Sequence, residues 1–172
     1  AVSGEGGFLD LYCGEAGVDP DATPSLGTEW GILDPGIQIK KYPCCYFTHT
    51  GIAIASELSE KHDIEPGEIE RVSVTSSGKG PQIIQHDDPS TGFEAKFSMP
   101  YTISCAIAHQ QVDLEAFDDE NIASSDVQSI RERLTYETDS SLPFTSYETT
   151  VNIRTSNGAE YDGLKTSPPG RD

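Results

Sequence analysis

KFSMPYTISCAIAHQ, residues 96–110, is apolar on nearly every side and has the length of a helix, although Pro100 stands close to its start. A helix without a polar face has to be surrounded by other elements, so this stretch is expected to be the buried central helix of the fold. Proline is tolerated in a first helical turn, where its missing N–H has no intrahelical acceptor to lose, and the helix is therefore expected to begin near Ser98. Tyr101 falls inside that first turn, and a phenol carried into a core needs a hydrogen-bond partner there. His109, at the other end, suits the negative pole of the helix.

Upstream of this helix, Ile69 to Thr75 (IERVSVT) is rich in β-branched residues and reads as a strand, followed by a glycine turn at 78–80. Before it, Pro66-Gly67 breaks a run from Thr48 or Thr50 to His62 in which Ile52, Ala55, Leu58 and Ser59 recur at helical spacing, with Glu57 and Lys61 as an i,i+4 pair. Earlier still, Ile37 and Ile39 alternate with Gln38 and Lys40 at the period of a strand that Pro43 ends, so Gln38, Lys40 and Tyr42 are expected to share a face. Residues 1–34 read as an arm: a short helix around Phe8-Leu9-Asp10-Leu11-Tyr12, a loop, and Trp30 as its anchor on the domain.

Downstream, Ser125-Asp126-Val127-Gln128 has the form of a capping box, and Val127, Ile130 and Leu134 form a helical stripe. Thr149 to Thr155 alternates around Val151 and Ile153, Asn157-Gly158 signals a type I′ hairpin, and 160–166 returns. The order predicts an α+β domain over residues 35–166, a mostly antiparallel sheet packed against helices, with 167–172 as a linker.

The 172 residues carry 29 acidic and 11 basic side chains, a formal net charge of -18. No basic patch interrupts that field, which excludes nucleic acid and anionic membranes as partners. The acids are dispersed among apolar residues instead of forming a run, which points to the solvated surface of a protein adapted to high salt. No signal-peptide pattern and no apolar stretch of membrane-spanning length are present, so a cytoplasmic location is expected, with Cys13, Cys44, Cys45 and Cys105 as thiols.

The densest chemistry lies in KKYPCCYFTH, residues 40–49. Cys44, Cys45 and His49 are zinc-ligand types, but adjacent cysteines lack the usual ligand spacing and no second pair supports them, so no metal is expected. A nucleophilic cysteine would have His49 as its base, yet no hydrolase signature surrounds either. Two readings remain. In one, the cysteines are small buried hydrophobes, His49 is a polar residue at a helix start, and the lysines are solvated. In the other, Lys40, a thiol and a helix N-terminus converge across the turn at Pro43 and suit a carboxylate ligand. His62 and His86 read as surface residues.

Lys40-Lys41-Tyr42-Pro43-Cys44-Cys45 with His49, followed by Glu94-Ala95-Lys96-Phe97-Ser98-Met99-Pro100-Tyr101 opening an apolar helix, resembles the MmgE/PrpD family. That family includes 2-methylcitrate dehydratase, cis-aconitate decarboxylase and iminodisuccinate epimerase. Gly7-Phe8 and Leu26-Gly27-Thr28-Glu29-Trp30 fit the approach to the lysine motif, and the likeness runs over about residues 5–165. It implies the smaller α+β lid of a two-domain enzyme whose active site lies between the lid and a large helical domain. The absence of a starting methionine and the stop at KTSPPGRD fit that expectation of a part.

The resemblance implies a lyase or isomerase acting on a small di- or tricarboxylate without metal or cofactor, inactive without the helical domain and a homodimer at full length. By motif match it implies Lys40, His49 and Tyr101 as catalytic residues and Lys41, Cys45 and Ser98 as substrate-binding ones. Cys45 replaces a histidine of decarboxylase-like members, and Phe97 one of dehydratase-like members, which leaves the reaction open among dehydration, decarboxylation and epimerisation. A reading of another class is a stand-alone carboxylate-binding or protein-interaction module.

Overall fold

A computed structural model of the chain describes residues 27–34, 36–77, 83–143 and 145–170. The chain divides into two units, residues 1–37 and 38–172. The described part of the first is a series of turns, closed by Leu33 N–H donating to the Trp30 carbonyl at 2.8 Å and Gly36 N–H to that of Gly31 at 3.2 Å. The expected helix at 8–12 and the glycine turn at 78–80 lie outside the described residues.

In the second unit, helix α1 (His49–His62) leads to strand β1 (Ile69–Ser77). A single turn α2 (Gly92–Ala95), the central helix α3 (Met99–His109), another single turn α4 (Asp119–Ile122) and α5 (Ser125–Arg131) follow. Strands β2 (Leu134–Asp139), β3 (Thr149–Thr155) and β4 (Glu160–Lys165) complete it. The strand order is β2-β1-β3-β4, with β1 parallel to β2 and the other two pairings antiparallel.

The register explains which face is covered. Val72 pairs with Leu134 and Ile153, and Val74 with Tyr136 and Val151, so one face collects the large apolar side chains and the helices pack there. Val72, Val74, Val151 and Ile153 are all fully buried, each contributing about 1.5–3 kcal/mol relative to exposure. Ser73, Thr75, Asn152 and Asp162 alternate onto the opposite, polar face.

The central helix meets its expectation closely. Ser98 caps it, its Oγ accepting from Tyr101 N–H at 3.1 Å, Pro100 occupies the first turn, and Met99 to Ile107 are buried without a gap. Both long helices end in a left-handed residue, Asp63 in α1 and Gln110 in α3. Helix α1 crosses α3 at Gly51, where a Cβ would stand 2.8 Å from Ile103 Cδ1.

Four local expectations are corrected. Residues 36–42 form no strand: no described strand pairs with them, and Ile39 stays 76% exposed while Tyr42 is buried and Lys40 is not. The alternation there lacked a neighbour to bond with. Leu134 opens β2 instead of extending α5, because the parallel edge of β1 takes it up. The cap of α5 is Ser124, without a side-chain bond, so the capping box does not form. The β3–β4 connection is no type I′ turn. Thr155 N–H donates to the Ala159 carbonyl, Gly158 N–H donates to that of Thr155, and only Gly158 has positive φ, +87°. That is a three-residue loop closed by a left-handed glycine.

Candidate functional site

The segment 40–49 runs as a bend at 41–44, a 3-10 turn at Tyr46–Thr48 and the first residue of α1. The peptide between Cys44 and Cys45 organises it from both ends. Its carbonyl accepts from Lys40 Nζ at 3.1 Å, and its N–H donates to the Lys96 carbonyl at 2.9 Å. Thr48 Oγ1 donates to the Cys45 carbonyl at 2.8 Å and meets Cys44 Sγ at 3.2 Å, closing the turn. Both thiols are buried. Burial pushes Cys44 up to about 12 against the opposing pull of Thr48, Lys40 and Lys96, and burial likewise raises Cys45. Neither sulfur is a thiolate at neutral pH, which leaves them as packing groups.

His49 is wholly buried at the head of α1, with the rings of Tyr42 and Tyr46 edge-on at centroid distances of 5.1 and 4.9 Å. Neither ring nitrogen has a hydrogen-bond partner among the described residues. Desolvation lowers its pKa to about 4, and the Lys40 charge adds to that. The carbonyls of Cys44 and Tyr42 favour protonation but lie outside hydrogen-bond geometry. The imidazole is therefore neutral at pH 7 and sealed from solvent.

Lys40 and Lys41 are exposed and open onto a cleft of about 820 Å³, which Glu57, Glu60, Asp113 and Lys165 also line. Lys165 pairs with Glu57 at 2.8 Å, and Lys41 Nζ stands 5.4 Å over the Tyr42 ring. Among the described residues, neither Lys40 nor Lys41 is ion-paired.

The motif on α3 is placed differently. Ser98 spends its hydroxyl on the helix cap. Tyr101 is fully buried and donates its hydroxyl to the Ala116 carbonyl, with its pKa raised by burial and then by Cys105. Neither Ser98 nor Tyr101 lines the cleft. The sequence-predicted residues thus fall into two groups: Lys40, Lys41, Cys45 and His49 in one turn, Ser98 and Tyr101 at the start of α3. The Cys45–Lys96 bond ties one group to the other.

A family model of the MmgE/PrpD C-terminal domain matches residues 42–171. The chain belongs to the MmgE/PrpD family. No individually curated protein matches it. Within this MmgE/PrpD domain the match opens at Tyr42, immediately after the two lysines, and takes in His49, the segment 94–101 and the whole sheet.

Sequence reasoning gave no role to two residues here. Lys165 reaches the cleft only through the β3–β4 pairing, which no local signal marks. Lys96 was visible as a charge beside an apolar helix, yet its contact with the cysteine turn depends on a bond between segments 51 residues apart.

Proposed function

We propose that this MmgE/PrpD C-terminal domain supplies the lysine-bearing wall of a carboxylate site, in a metal-independent lyase or isomerase acting on a small di- or tricarboxylate. The observation that carries this reading is Lys40. In a chain with 29 acids and 11 bases, its ammonium stands at the mouth of a cleft with no carboxylate partner among the described residues, steadied on the Cys44 carbonyl. Removing a proton next to a carboxylate, or losing carbon dioxide, builds negative charge, and a positioned ammonium stabilises it.

His49 enters this reading as a support. Neutral and sealed beside Lys40, it adds no competing cation to the turn that aims the ammonium. Tyr101 enters through the 115–117 turn that its hydroxyl holds, next to the cleft residues 113 and 114. The opposite wall comes from a helical domain, and the domain alone is inactive.

The test is turnover by the protein as its gene encodes it, on 2-methylcitrate, cis-aconitate and iminodisuccinate at high salt. Lys40→Ala is expected to lower kcat/KM on the accepted substrate by about 10²-fold or more, the scale of a lost electrostatic stabiliser. Undiminished turnover by Lys40→Ala would overturn the assignment.

A further inference from the structure

We propose that Lys96 is a second ammonium of the same carboxylate site, so that the site takes a ligand with two carboxylates and holds one on each lysine. The inference rests on the reading of Lys40 given above and deepens it.

Lys40 and Lys96 attach to opposite ends of one peptide unit. The Cys44 carbonyl binds Lys40 Nζ at 3.1 Å, and the Cys45 N–H binds the Lys96 backbone at 2.9 Å. Because the peptide is planar, the two attachments move together and fix the spacing between the lysine-bearing segments. From its half-buried position the Lys96 ammonium lies 5.6 Å from the centre of the Phe117 ring. Phe117 follows Ala116, whose carbonyl takes the Tyr101 hydroxyl, and the Tyr101 and Phe117 rings stand 6.1 Å apart. Lys96 does not itself line the cleft; it connects the cysteine turn to the 115–117 turn, which continues into Asp113 and Leu114 of the cleft wall.

Both lysine charges draw the Cys44 thiol downward against its burial. Lys96, like Lys40, has no ion pair among the described residues. A half-buried ammonium satisfied only by an aromatic face gains from an anion. Of the cleft acids, Glu57 pairs with Lys165 and Asp113 accepts from Ala116 N–H and Gln111, while Glu60 has no ion pair among the described residues. A single carboxylate would leave one of the two lysines unanswered, whereas a dicarboxylate answers both.

The experiment is calorimetric titration of the protein as encoded with succinate and with butyrate, four-carbon acids that differ in the second carboxylate. Lys96→Met is expected to weaken succinate binding by about tenfold or more while changing butyrate binding less than about twofold, and Lys96→Arg to retain succinate binding. Lys40→Met is expected to weaken both. If Lys96→Met binds succinate as the parent does, or loses both ligands equally, the second-ammonium role fails while the Lys40 reading stands. If Lys40→Met changes neither ligand, the site itself is wrongly placed. Should Lys96→Met not melt cooperatively, Lys96→Gln provides the same comparison.

Discussion

His49 shows how one buried side chain couples the turn to pH. Its unfolded-state pKa is 6.5 and burial lowers the folded value to about 4. Between those values the unfolded chain holds a proton that the folded one does not, so stability is complete above pH 6.5 and declines as the pH falls towards 4. The full decline is about 3 kcal/mol. The upper part of this window, from 6.5 to about 5, lies above the ordinary carboxylate range, and the comparison with a His49 variant separates this side chain from the other three histidines. Urea midpoints measured at pH 7 and pH 5 are expected to converge in His49→Leu, which cannot be protonated and keeps an apolar side chain among the tyrosines. An unchanged pH slope in that variant would remove His49 from the account.

At the scale of elements, α1 packs on β3 and β4 and approaches the sheet closely at Gly163. A Cβ on Gly163 of β4 would stand 2.2 Å from Ile54 Cγ2, so Gly163→Ala is expected to push helix and strand apart at a cost of about 1–3 kcal/mol. Chemical denaturation measures this, and a variant as stable as the parent would show that α1 can shift freely. This contact also marks where sequence reading stops. The extents of α1 and α3, and the strands β1, β3 and β4, follow from spacing and breakers that act within a few residues and, for α3, from the Ser98 cap; Thr48 stands at the head of α1 without a side-chain cap bond. Strand β2 does not: LTYETD has no strong signal of its own and becomes a strand because β1 offers it an edge. The segment at 38–42 has the alternation without the edge, and forms none. The candidate site divides the same way. Lys40 and His49 are legible as neighbours within one turn, whereas the place of Lys96, the commitment of Tyr101 to Ala116 and the arrival of Lys165 in the cleft all depend on distant pairings.

For the molecule as a whole, the net charge of -18 sets the conditions under which any of this operates. The described ion pairs, Arg131 with Asp88, Arg154 with Glu70 and Glu160, and Lys165 with Glu57, answer only a few of the acids. The remainder repel one another over a range of about 10 Å at 0.1 M salt and about 3 Å at 1 M. A melting temperature that climbs with potassium chloride is therefore expected, and a flat one would contradict adaptation to salt. Among the described residues no helix is long and apolar enough to cross a membrane. The strand order carries one further consequence, for a chain made from its N-terminus. Strand β1 is synthesised before either strand that will flank it: Val72 waits first for Leu134 and then for Ile153. Until then its two edges are open and α1 has no β3 or β4 to rest on. The lysine turn at the head of α1 is thus among the first parts of the domain to leave the ribosome, and its supporting sheet is complete only when the final hairpin arrives.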